Sequence, residues 1–184
     1  MPWRLLALGD VTNLDHVVGS YRVHESATGA SIENGRVQAV CSQSIAVLAR
    51  RRERGLVDVE FATDWNWMAR LKAAGSLGRM LALAVITAEL SGEEILFMEV
   101  AVAAKMLQWF EWRRFLPESE DAVFIRRAYA LTGRLQRSNQ KELKRLYTVA
   151  AARLLRAKHL RSAAILTPPR FTGSALARTV LGRY

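Results

Sequence analysis

Seven basic residues, Arg126, Arg127, Arg134, Arg137, Lys141, Lys144 and Arg145, recur at short intervals in the last third of the chain. Set on helices, they form basic faces. The chemistry of such faces is polyanion binding, to a nucleic-acid backbone or to an anionic membrane surface. The charge count points the same way. From Arg126 to Tyr184 there are 14 Lys and Arg against one acid, Glu142, whereas residues 1–125 carry 13 bases and 16 acids. The net charge of +10 therefore belongs wholly to the last third. The bland reading of the same run is a solvated helix surface.

Other reactive side chains are few. Cys41 is the single cysteine and cannot form an internal disulfide, which suits a reducing, cytoplasmic compartment. It falls on the apolar face of a predicted helix, as a small buried hydrophobe rather than a nucleophile. His159 stands in a basic stretch near a helix end. The five tryptophans, Trp3, Trp65, Trp67, Trp109 and Trp112, fall mostly at helical spacing and read as core or interface anchors. There is no Gly-rich phosphate loop, no zinc spacing of Cys and His, no His-Glu-x-x-His and no Gly-x-Ser-x-Gly.

The elements that position these residues are mostly helices. The fold class expected is mainly α: a bundle of about seven helices preceded by one or two short strands. Val11 to His24 reads as extended, with Val17, Val18, Tyr21 and Val23 as strand formers. Glu25 to Ser31 reads as a loop. Val37, Val40, Cys41, Ile45 and Leu48 then recur at helical spacing. That helix should end in the Arg50–Arg54 run and be closed by Gly55. Two helices broken near Gly75 and Gly78 should occupy Asp64 to Leu90. Ser91-Gly92-Glu93-Glu94 is a capping box opening a helix to about Arg114, with Pro117 as its stop. Ser119-Glu120-Asp121 places acids at the next helix start, and that helix should run to about Arg137. Further helices are expected over Gln140–Lys158, after His159 up to Pro168-Pro169, and over Ser174–Leu181. Val149 to Pro168 resembles a single tetratricopeptide-like hairpin, without a second copy to stack on.

With 51% hydrophobic and 24% charged residues, the composition is that of an ordinary globular chain. Met80–Leu90 is short for a membrane span. Ile95–Phe110 carries Glu99 and Lys105, which are costly in lipid. Both read as buried helices. Met1 to Gly9 has only a brief apolar run before Asp10, which does not read as a secretion signal.

One stretch carries a family likeness. Trp3, Leu6 and Gly9 are followed by Leu14-Asp15, then by Tyr21-Arg22-Val23-His24, then by a small-residue loop from Ser26 to Ser31. This order resembles the end of the catalytic domain of bacterial family 2 glycosyltransferases of the GT-A fold, over about the first 35 residues. There a helix, a short strand and a Tyr-Arg-x-His segment lead into such a loop, and a basic helical tail often follows. The spacing of Trp3, Leu6 and Gly9 is tighter than in the family. The likeness divides the chain into a GT-A remnant over residues 1–35 and a helical C-terminal domain over 36–184.

The resemblance implies a nucleotide-sugar donor, with Arg22 and His24 near its diphosphate and Tyr21 packed beneath them. A guanidinium pairs bidentately with phosphate oxygens. A histidine can bond the leaving diphosphate or ligand a divalent metal, which in this family is Mg2+ or Mn2+. The family's Asp-x-Asp metal motif and acidic general base are missing, and Asp58-Val59-Glu60 is the nearest approach. The expectation is therefore a C-terminal portion, inactive in sugar transfer unless a separate catalytic half supplies the donor site. It would be cytoplasmic, resting on the inner membrane face through its basic helices. The alternative is a basic helical module for nucleic acid or membrane surfaces, without catalysis.

Overall fold

Ser31 starts the described part of the chain. In the computed structural model, residues 31–61, 66–112, 115–131 and 137–167 are described. The Ser31 hydroxyl accepts from the Asn34 amide at 3.1 Å and caps helix α1, Ile32–Glu53. The far end of α1 closes as the glycine signal predicts. Gly55 has φ 68°, its amide donates to the Arg52 carbonyl, and the Leu56 amide donates back to the Arg51 carbonyl. This is the paired-bond helix stop that favours glycine at the left-handed position.

Helix α2, Trp67–Ala74, and helix α3, Leu77–Ala88, are separated at Gly75, whose φ of 76° is the break expected there. Helix α4, Gly92–Trp112, begins with the capping box intact. The Ser91 amide donates to Glu94 Oε2 at 3.0 Å, and the Glu94 amide donates to Ser91 Oγ at 3.4 Å. Helix α5 covers Ser119–Leu131, helix α6 Arg137–Arg156 and helix α7 Leu160–Leu166. The stretch 132–136, over which the helix expected to reach Arg137 would run, lies outside the described residues. Between α6 and α7 the chain reverses at Lys158, φ 61°, with the His159 amide bonded to the Leu154 carbonyl.

Among the described residues every regular element is one of these seven helices, so the mainly α class holds. The strands expected over Val11–His24 and the helix expected over Ser174–Leu181 lie outside the described residues.

Helix α4 is the centre of the bundle. It packs on α1, α3, α5 and α6; α2 rests on α1 and α3, and α7 closes over α5 and α6. α1 and α4 run antiparallel. At one end Arg51 pairs with Glu94, and at the other Gly35 lies under Trp109 and Phe115. Met98, Val102, Met106 and Phe110 of α4 are fully enclosed, as are Leu146, Tyr147 and Leu154 of α6. The two charges that spoil Ile95–Phe110 as a lipid helix have partners. Glu99 pairs with Arg127 at 3.1 Å, and Lys105 Nζ lies 5.8 Å from the centre of the Trp109 ring. No helix among the described residues is long and apolar enough to cross a membrane.

A buried ion pair joins three elements. Arg36 grips Asp121 bidentately, Nε to Oδ1 at 2.9 Å and Nη2 to Oδ2 at 2.7 Å. Its Nη1 donates to the Gly75 carbonyl at 2.8 Å, and Nη2 also reaches Glu118 at 2.6 Å. The Asp121 side chain is fully enclosed. The Glu118 amide donates to it at 3.1 Å, so Asp121 also caps the start of α5. From the sequence, Asp121 is expected only as one of the acids at a helix start. Here it anchors α5 to α1 and to the α2–α3 corner.

Candidate functional site

Tyr21, Arg22 and His24, the donor-diphosphate candidates, lie outside the described residues. Among the described residues no group of three or more His, Cys, Asp or Glu could hold a metal ion.

The basic surface can be followed in part. Arg126, Arg127, Lys141 and Lys144 are exposed on α5 and α6. Arg134 and the side chain of Arg137 lie outside the description. Arg127 shares its charge with Glu99. Arg145 is more fully committed. Its guanidinium donates to both oxygens of Glu111, at 2.5 and 2.9 Å, and to both oxygens of Glu142, at 2.9 and 2.8 Å. These two carboxylates, Glu111 first, raise the Arg145 pKa further, and Arg145 holds the Glu142 carboxyl below its ordinary range. Arg145 therefore fastens α6 to α4 rather than offering a free cation. Beyond it, Arg156, Lys158 and Arg161 continue the basic surface at the α6–α7 corner, all exposed.

The remaining chemical candidates behave as spacing suggests. Cys41 is half-buried, with Sγ 3.8 Å from Met68 Sδ, and burial pushes its thiol pKa up, away from thiolate chemistry. Trp67 is buried and Trp109 half-buried, both against the core. His159 is exposed and makes no side-chain capping bond at the start of α7.

The site that residue spacing did not reveal is a groove of about 460 Å³ along the outer stripe of α4. Its floor is Phe97, Val100, Ala101 and Ala104, and its α6 wall is Leu143 and Leu146. Leu131 closes one side, and Arg50, Glu93, Gln108 and Glu142 stand on its rim. These residues come from four helices, so no local motif announces them. The α4 stripe carried the one available signal, an i, i+3, i+4 apolar spacing that reads equally well as core.

At the Arg50 end, three arginines of the Arg50–Arg54 run donate to acids. Arg51 donates to Glu94 at 2.6 Å, Arg54 to Glu93 at 2.9 and 3.1 Å, and Arg52 to Asp58. Arg54 and Arg50 hold the Glu93 carboxyl below its ordinary range. Burial alone would raise the Glu94 pKa, but the Ser91 amide, the Arg51 guanidinium and the Ser91 hydroxyl outweigh it and lower it.

The fold and these sites define a helical bundle with a basic surface and an apolar groove. Comparison with protein-family models, with curated proteins and with solved structures finds no match.

Proposed function

We propose that the chain is the C-terminal portion of a family 2 glycosyltransferase-like protein. The observation that carries this reading is the ordered string Trp3, Leu6, Gly9, Leu14-Asp15, Tyr21-Arg22-Val23-His24 and the small-residue loop to Ser31. The mainly helical character of the chain that follows suits it. In this role Arg22 and His24 bond the donor diphosphate, while a separate catalytic half supplies the nucleotide site, the metal and the general base. An acceptor hydroxyl oxygen bonds to the anomeric carbon as the bond from that carbon to the diphosphate breaks. The developing charge on the departing diphosphate is where a positioned guanidinium acts.

Charge-assisted hydrogen bonds of this kind contribute about 1.5–3 kcal/mol. In a reconstituted two-chain transfer assay, Arg22→Ala lowers the rate by about ten- to a hundredfold. An unchanged rate rejects the assignment.

A second reading rests on a different observation: the exposed Arg156, Lys158 and Arg161 extend the basic face of α5 and α6, with Glu142 as the single acid beyond Arg126. That surface binds nucleic-acid phosphate. Its affinity falls steeply as salt rises, because each neutralised phosphate releases counterions, and it shows little sequence preference. Titrating a labelled duplex at several salt concentrations checks this, and a salt-indifferent constant excludes it. Vesicle flotation, comparing anionic with neutral lipid, separates membrane binding from it.

A further inference from the structure

The α4 groove has the proportions of one alkyl chain. The groove runs along α4 from Glu93 to Gln108 on its rim, which on a helix spans about 22 Å. A volume of about 460 Å³ lies along that length, open to solvent on its outer side. A single polymethylene chain fits. Ala101 and Ala104 provide the depth, and the floor between the two ends carries no charge.

One end carries a cation placed for a headgroup. The Arg50 guanidinium carbon lies 4.1 Å from the centre of the Phe97 ring, which fixes it over the groove's mouth. Its nearest acid is Glu93 at 3.8 Å, beyond hydrogen-bond distance. Both Glu93 oxygens already accept from Arg54. Arg51, Arg52 and Arg54 each donate to a carboxylate, whereas Arg50 makes no such bond among the described residues. Arg50 and Arg54 against Glu93 leave one positive charge at this mouth. At the side of the groove, Glu142 is held by Arg145.

We propose that this groove binds one long-chain fatty acid, with its chain along Val100, Ala101 and Ala104 and its carboxylate on Arg50. Charge complementarity with Arg50 selects the anionic head, and the apolar floor takes the alkyl chain.

The test is displacement of a fluorescent fatty-acid probe from the full chain by laurate, myristate and palmitate, each below its micelle concentration. Affinity should rise about fourfold per added methylene until the groove is full. Ala104→Phe, which fills the floor, should weaken palmitate at least tenfold. Arg50→Gln should weaken palmitate about tenfold while leaving hexadecanol unchanged, a split that general loss of structure does not produce. Thermal melts of both variants verify the fold, and Arg50→Gln carries the test if Ala104→Phe does not fold. No binding of palmitate, affinity indifferent to chain length, or an Arg50→Gln effect equal for palmitate and hexadecanol overturns the proposal.

Discussion

Replacing Arg36 with alanine lowers the unfolding free energy by about 3–5 kcal/mol, read from urea or guanidinium titration with the slope unchanged. The reason is what is left behind. Asp121 is fully enclosed, and Arg36 supplies two of its hydrogen bonds. Without the guanidinium, a carboxylate stays buried with the Glu118 amide still donating to it, and the Gly75 carbonyl loses the Arg36 donor too. The pair itself contributes much less, because bringing both charges out of water costs nearly what their attraction returns. The double variant Arg36→Met with Asp121→Leu should therefore recover most of the loss. A single variant that unfolds at the wild-type midpoint would show that water reaches this site and that the clasp is not structural.

Phe110→Ala costs a similar amount, about 3–5 kcal/mol, by a different mechanism. Phe110 is fully buried on α4, with its ring edge-on to Phe115 at 5.9 Å and 86°. Phe115 in turn lies where a Cβ on Gly35 would meet it, 3.0 Å away. The three residues form a column from α4 through the α4–α5 connection to α1. Deleting the phenyl group leaves a cavity that the helices on either side, fixed by the Arg36 clasp and the Arg145 fastening, are poorly placed to close. Phe110→Leu keeps most of the volume and should cost under about 1.5 kcal/mol. Equal losses for the two substitutions would mean that the cavity is not what is being measured.

Helix starts and stops were the most legible part of the fold. Ser91 with Glu94, Gly55 and Gly75 act through local backbone geometry, which depends on a few neighbouring residues and so can be read from them. Arg36 also carried a signal. Arg36 shares a stripe with the buried Val40, Ser44 and Val47. A charge on that stripe demands a partner, but Asp121 is 85 positions away and nothing local names it.

The same limit applies to the surface. The basic residues were counted correctly, but their pairing was not foreseeable. Glu142 lies three positions from Arg145 and could be read as its partner, whereas Glu111 is 34 positions away. The groove was the least legible feature, because an apolar stripe does not say whether another helix covers it.

Glu94 serves two helices at once: it caps α4 through Ser91 and receives Arg51 from the last turn of α1. The start of one helix and the finish of another are therefore one cooperative unit. Fraying of α1 from its C-terminal end releases the carboxylate that holds the first turn of α4, and unwinding of α4 from its start releases Arg51. The two ends open together, so transient exposure of backbone amides at this corner is a single event shared by segments some forty residues apart.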